Sequence, residues 1–270
     1  DIFVGLQTSK DDLYIFENVR LNDKNLIGHL SISNKEYEVE KDLFKPFLMG
    51  KNVQRYRNLS TDRYVFFPYL INDGNVKIIP EEEIKLHYPL TYKYLKDHEK
   101  EFKARESGKA GKMQHWHAYI YPKNLNKFEQ QKLSSMEICA NHPNVTLNNT
   151  NLYHTTKVYS WVKNADAKES YEYILAIANS KLLWWFLKLT GDTLQGDART
   201  FKTNYLNPFP LPVNVSKEED LYISNKVNEV LIIKKQNPDA DTTGLETQID
   251  QLVYQLYGLT EEEIKIVESN

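Results

Sequence analysis

From position 171 to 189 the apolar residues recur at Tyr171, Ile174, Leu175, Ala178, Leu182, Trp185, Phe186 and Leu189. Steps of three and four lay such a stripe along one face, so a helix is expected over 171–189 with that face against a core. Trp184 and Leu187 fall off the stripe, which makes the second half apolar on more than one side and calls for a further covering element or a partner. Gly191 breaks the pattern, and 192–203 is a polar loop carrying Arg199 and Lys202. Three prolines keep Tyr205-Leu-Asn-Pro-Phe-Pro-Leu-Pro212 from continuing a helix, so it reads as an extended exit.

Upstream, residues 2–20 alternate apolar and polar in short runs around Gly5 and the turn Ser9-Lys10-Asp11-Asp12, which predicts a hairpin. Residues 27–39 repeat the pattern around Ser33-Asn34-Lys35. Between 40 and 56, Leu43, Phe44, Phe47 and Leu48 share a short helical face ended by Gly50, and Lys51, Arg55 and Arg57 follow. Tyr64-Val-Phe-Phe-Pro-Tyr69 signals a buried strand closed by the turn Asn72-Asp-Gly-Asn75. A helical stretch over 81–86 follows Pro80, and a second helix over 90–105 sets Tyr94, Leu95, His98 and Phe102 on one side. Residues 132–145 and 152–162 read as strands, with turn chemistry in Asn148-Asn-Thr-Asn151. Strands mixed with helices in no regular alternation favour an α+β fold over a doubly wound sheet.

The tail carries clear helix signals. Ser216 with Glu219 is a capping box, and Leu221, Val227, Leu231 and Lys234 continue a helix to Asn237-Pro238. Thr243 with Glu246 repeats the device ahead of the stripe Leu245, Ile249, Leu252, Val253, Leu256 and Tyr257, and Thr260 with Glu263 caps a third, short helix after Gly258. The expected organisation is one body over 1–213 and a helical segment over 214–270 that packs on it or on a part of the protein outside these residues.

Composition sharpens this picture. The chain has 270 residues, 41% hydrophobic and 12% aromatic, enough for a sizeable core and too much for disorder. The longest apolar run is Leu182 to Leu187, far short of a membrane span, and no signal-peptide pattern opens the chain. The single Cys139 excludes an intramolecular disulfide and fits a reducing, cytoplasmic setting. Phe3-Val-Gly-Leu6 enters directly as a strand, as expected of a domain taken from a longer protein. The net charge of −3 is unevenly placed: residues 216–270 hold 5 Lys+Arg against 12 Asp+Glu, leaving 29 against 25 for 1–215. Positions 93–132 hold 10 basic and 5 acidic residues, so the middle of the chain is compatible with a polyanionic partner.

That basic middle contains a loop, 107–122, with glycines, aromatics and no helical or strand period. It carries Lys109, Lys112, Gln114, His115, Trp116, His117 and Tyr119. Cations that hold phosphates, amides that read base edges and rings that stack suit a nucleic-acid surface; a surface loop packed over a buried Trp is the plainer reading.

Three other constellations are weighed and set aside. Pro238-Asp239 with Glu263-Ile-Lys265 has the loose form of a metal-dependent nuclease. Residues two apart on a helix point about 200° from each other, so Glu263 and Lys265 in a capped helix cannot share a site. His115-Trp-His117 with Cys139-Ala-Asn-His142 offers four zinc-type ligands, yet the text around them is turn-like, and Cys139 reads better as a small buried residue. Asn207-Pro-Phe-Pro210 has the wrong order for the motif with which adenine methyltransferases hold a flipped base, and Gly191 and Gly196 are too few for a cofactor loop.

The order of several pieces carries a resemblance. Ile177-Ala-Asn-Ser-Lys-Leu-Leu-Trp-Trp-Phe186, then Gly191, then Phe201-Lys-Thr-Asn-Tyr-Leu-Asn-Pro-Phe-Pro-Leu-Pro212 resembles the end of the TaqI-like C-terminal specificity domain, which supplies target recognition in restriction-modification enzymes. Val4-Gly-Leu-Gln-Thr8 with Leu13-Tyr-Ile-Phe16, Phe44-Lys-Pro-Phe-Leu-Met-Gly-Lys-Asn-Val-Gln-Arg-Tyr56, Tyr88-Pro-Leu-Thr-Tyr-Lys-Tyr-Leu95 and Tyr254-Gln-Leu-Tyr-Gly-Leu259 resemble it in the same order.

The resemblance implies a mixed-sheet α+β target-recognition domain that reads double-stranded DNA and has no catalytic residue, metal or cofactor of its own. It also implies an N-terminal partner part of the parent chain, an adenine-specific methyltransferase with or without a fused type II endonuclease. That part would use S-adenosylmethionine, and Mg²⁺ if it cleaves. Arg105, Lys109, Lys112 and Lys123 are expected on phosphates, and Gln114, His115 and His117 on bases. Arg199 with Lys202, and Lys51 with Arg55, form a second and a third candidate set. The rival readings are a protein-interaction module that contacts its partner through 184–187 without binding DNA, and a standalone hydrolase.

Overall fold

The computed structural model describes every residue except Asn34, Asn214 and Asn270. In chain order the elements are β1 (Ile2–Val4), α1 (Asp11–Tyr14), β2 (Ile15–Leu21), β3 (Asn25–Leu30), β4 (Lys35–Glu40), β5 (Phe44–Leu48), β6 (Tyr64–Phe66), β7 (Tyr69–Asn72) and β8 (Asn75–Ile78). There follow α2 (Glu81–His87), α3 (Pro89–Asp97), α4 (Glu99–Gly108), β9 (Lys132–Met136), β10 (Ile138–Cys139), β11 (Val145–Asn148), β12 (Tyr153–His154) and β13 (Val158–Trp161). The remainder is α5 (Tyr171–Ala178), α6 (Lys181–Thr190), β14 (Arg199–Thr200), α7 (Thr203–Leu206), α8 (Lys217–Gln236), α9 (Thr243–Leu256) and α10 (Glu261–Glu268).

Among the described residues the larger sheet runs β12-β5-β6-β2-β3-β4 and the next β1-β13-β9-β11, with β7-β8 and β10-β14 as two-stranded ribbons. The β12–β5 pair is parallel and its neighbours are antiparallel, so the fold is α+β with mixed pairing, as the sequence indicates. Two cores result. The first packs α3 and α4 against the larger sheet through Phe16, Tyr37, Phe44, Phe66, Tyr94 and Phe102. The second gathers α5, α6, α8, α9 and α10 around the four-stranded sheet through Leu133, Val145, Leu175, Leu187, Val227, Val253 and Tyr254. The tail helices therefore share a core with 171–189 instead of lying on a finished surface. No helix is long and apolar enough to cross a membrane among the described residues.

Several local expectations give way to tertiary pairing. The helix expected over 171–189 is two, because Ser180 caps α6 by accepting from Leu183 N while Asn179 spends its amide elsewhere. Phe44, Phe47 and Leu48 lie on a strand: Pro46 pushes its predecessor to extended backbone, and β5 pairs with both β6 and β12. β1 makes no hairpin with β2; it pairs antiparallel with β13, and the turn between them is the short α1. The strand expected over 132–145 is broken into β9, β10 and β11, and the helix over 90–105 is broken at His98. In the 27–39 hairpin β3 and β4 pair as expected, with Asn34 outside the described residues. The Ser216/Glu219 and Thr260/Glu263 capping boxes form, whereas α9 starts from Thr242, one residue before the expected Thr243.

Gly5 marks where the two sheets meet. A Cβ there would lie 2.0 Å from the Thr155 carbonyl oxygen and 2.4 Å from that of His154, and the next amide, Leu6 N, donates to His154 O. Backbone on both sides leaves nothing able to yield. Gly5→Ala is therefore expected to lower stability by about 3 kcal/mol or more, read from the urea midpoint at unchanged slope.

Candidate nucleic-acid interface

The structure sorts the candidate residues onto two surfaces. One is the 105–123 loop. Regular helix ends at Ala104; Arg105 is extended and Glu106, Ser107 and Gly108 are all left-handed, with φ of 50°, 55° and 86°. Three such residues in a row turn the chain sharply, at a cost of about 1–3 kcal/mol for each non-glycine. Buried hydrogen bonds offset it. Arg105 is only 3% exposed, and its guanidinium donates to the carbonyls of Phe102 (2.9 Å), Thr8 (3.1 Å), Trp116 (2.6 Å) and Ala118 (3.0 Å). Tyr14 Oη donates to His117 O, Tyr69 Oη accepts from Tyr119 N, and Trp116 Nε1 donates to Glu81.

These bonds correct two expectations. Arg105 and His117 face the interior and cannot meet DNA. His117 is fully buried, donates from Nε2 to Ile79 O at 2.9 Å, and burial holds its pKa down at about 4. Lys109, Lys112, Gln114 and Lys123 are exposed and His115 is half-buried, so these stay available on an anchored loop. Lys109 lies over the Tyr121 ring at 4.6 Å.

The other surface is an open groove of roughly 960 Å³ lined by the third candidate set, Lys51 and Arg55, and by neither Arg199 nor Lys202. Lys51 to Arg57 form one wall, the 140–144 loop another, and α6 with the N-terminal part of α9 close it. The floor is tied by one side chain. Asn179 Nδ2 donates to Val145 O and Asn179 Oδ1 accepts from Val145 N, while Tyr56 N donates to the same Val145 carbonyl. Tyr56 is fully buried in a left-handed conformation (φ 56°), so the wall turns at a strained residue held from both sides.

Arg55 is consumed by this floor. It bonds Glu246 of α9 and Asn179 O, and Arg57 pairs with Asp239, which fastens the tail to the wall. Arg199 is 5% exposed and donates to Asp197 and the Lys188 carbonyl, and β14 pairs with β10, so it braces the groove's rim. Lys202 is half-buried at the start of α7. Lys51 stays exposed. Gln54, Asn141, His142, Lys181 and Lys188 also line the groove; Gln54 and Lys181 lie inside the stretches that resemble the specificity-domain family, with nothing there to set them apart as contact residues. At the groove's back Asp250 accepts from Lys181 N at 2.9 Å, and burial pushes its carboxyl up to about 6.

Among the described residues no three His, Cys, Asp or Glu side chains are placed to hold a metal ion. Cys139 is buried, which pushes its thiol up to about 11.

The fold thus presents two cores, a pinned loop with exposed lysines and a polar groove. The family profile described as the TaqI-like C-terminal specificity domain matches residues 45–211, more than half of the chain, and the chain belongs to that family. It is thus the target-recognition domain type of restriction-modification systems. It is also similar to the Escherichia coli type II restriction enzyme and methyltransferase RM.Eco57I, 23% identical over 271 residues, covering 92% of this chain and 27% of that one. Among solved structures it is similar to the type IIL restriction-modification enzyme MmeI in complex with DNA. That match has a TM-score of 0.62 at 15% identity, over 99% of this chain and 34% of that one, and supports the fold. The chain thus spans about a quarter to a third of the length of these relatives.

Two outcomes test this geometry. Arg105→Ala removes the donor from four carbonyls, of which Ala118 O keeps Tyr14 Oη, and is expected to cost about 3–5 kcal/mol in denaturant titration, while Lys109→Ala/Lys112→Ala stays within about 0.5 kcal/mol. His117 has a folded pKa below its unfolded value, so its contribution is complete above about pH 6.5 and is lost as pH falls toward 4. His117→Gln is therefore expected to reduce the acid loss of stability in that window by about 3 kcal/mol; Asp250, shifted the other way, is the same in both proteins.

Proposed function

We propose that this chain recognises a specific site on double-stranded DNA, as the specificity domain of an enzyme whose chemistry is done by another part of the parent chain. Membership of the specificity-domain family over 45–211 is the observation that carries this reading. The structure supports it with exposed Lys109, Lys112, Gln114 and Lys123 on a loop whose backbone is anchored at Trp116, His117, Ala118 and Tyr119. Fixed loops with exposed side chains suit phosphate positioning and base readout.

The parent is proposed to be a DNA adenine methyltransferase, with or without endonuclease activity, working in the cytoplasm. Its S-adenosylmethionine and any Mg²⁺ would be held outside this chain. The residues here do not fit either group: Gly191 and Gly196 make no glycine-rich cofactor loop, and the carboxylates Glu246, Asp250 and Glu268 are engaged by Arg55 and Lys181. In this arrangement the catalytic part flips the base while this domain fixes register on the duplex.

Binding to random-sequence duplex at two salt concentrations tests the reading. Affinity is expected to fall steeply with salt, and Lys109→Ala/Lys112→Ala to flatten the log–log slope by about 2, one unit per lost phosphate contact. Affinity indifferent to salt, or no duplex binding at about 50 mM salt, would sink it.

A further inference from the structure

We propose that the groove between Lys51–Arg57, the 140–144 loop and α6 is the base-reading surface, with Gln54, Asn141 and His142 meeting base edges and Lys51 a phosphate. The proposal rests on the DNA-recognition reading above and names where readout takes place.

The residues facing the groove divide into a braced frame and a free rim. Glu246, Glu268 and Asp250 are each engaged by the frame, through Arg55, Lys181 Nζ and Lys181 N. Asp197 is taken by Arg199 at 2.9 Å. Glu246, Glu268 and Asp197 are thereby paired with cations inside the frame, which reduces their repulsion of a polyanion, and Asp250 is held by a backbone amide. Among the described residues, Lys51 and Gln54 make no side-chain hydrogen bond or ion pair, and both are exposed. Asn141 is exposed in the same way, and exposed His142 uses only Nδ1, toward Pro143 O.

This rim has the chemistry of major-groove readout. A carboxamide presents a donor and an acceptor side by side, the pattern that matches adenine N7 and N6, and the neutral His142 ring, its Nδ1–H given to Pro143 O, keeps Nε2 as an acceptor. Such groups on the surface of a protein discriminate only if their backbone is held. Here Val145, directly after the 140–144 loop, is bonded by Asn179 on both its amide and its carbonyl, and Arg55 N donates to Asn144 Oδ1 at 3.2 Å. Gln54 thus comes from one wall and Asn141 with His142 from the other, in fixed register to each other.

The test uses this chain with a selected-site duplex library, comparing the ratio of selected-site to random-duplex affinity. Gln54→Ala/Asn141→Ala/His142→Ala is expected to lower that ratio at least about tenfold while random-duplex affinity stays within about threefold. Lys51→Ala is expected to weaken both duplexes alike and to flatten the salt slope by about 1. The isosteric Gln54→Glu and Asn141→Asp exchange an adenine-type donor for an acceptor and should change the selected base at one position each. A triple variant that melts like the parent and keeps its ratio overturns the groove assignment alone, leaving DNA recognition to the 109–123 loop. A parent chain that binds no duplex, or whose groove variants lose only association with a protein partner, overturns this inference together with the reading beneath it.

Discussion

The amide of Asn179 is the constraint on which the second half of the molecule depends. It sits at the junction of α5 and α6, 1% exposed, and satisfies both main-chain groups of Val145. Through that one residue the four-stranded sheet, the helix pair and the strained turn at Tyr56 are held in common register. Removing the amide would leave a buried N–H without its partner and weaken the hold on a carbonyl that also accepts from Tyr56 N, at a cost of about 1–3 kcal/mol for each unsatisfied group. The break that makes 171–189 two helices is in the backbone beside Asn179, at Ser180, whose extended conformation (φ −69°, ψ 153°) caps α6.

The first core uses an analogous device. Arg105 saturates the carbonyls of four residues from three separate segments, above an aromatic layer in which Tyr14, Phe66, Phe102 and Tyr119 meet edge to face or in offset stacks. In both halves a polar side chain is turned inward to fix backbone; Ala104 and Glu106 beside Arg105 stay exposed, whereas Ala178 and Ser180 beside Asn179 are buried with it.

Charge follows the same logic. The acidic tail makes the whole chain negative, yet Glu246, Asp239 and Glu268 are spent on Arg55, Arg57 and Lys181, where they attach α9 and α10 to the second core. Glu261, Glu262 and Glu263 lie in the first turn of α10, where the helix dipole favours them. Net charge summed along the chain thus says little about the field over either basic surface.

The sequence by itself determined the α+β class, the family, the tail helices and the start of α8 and α10, because capping boxes and 3.6-residue stripes are local properties and Ser216 with Glu219 needs no other segment to form. It also marked the basic loop, whose exposed residues are local as well. Only the tertiary structure decided the rest. Whether β1 pairs with β2 or with β13, whether Phe44 lies on a helix or a strand, and which of Arg55, Arg105 and Arg199 turn inward depend on partners far along the chain, such as Thr8 for Arg105 and Glu246 for Arg55. A guanidinium reads the same in sequence whether it will hold a phosphate or four buried carbonyls. What separates the two is the supply of unsatisfied acceptors around it, and that exists only once the chain has folded.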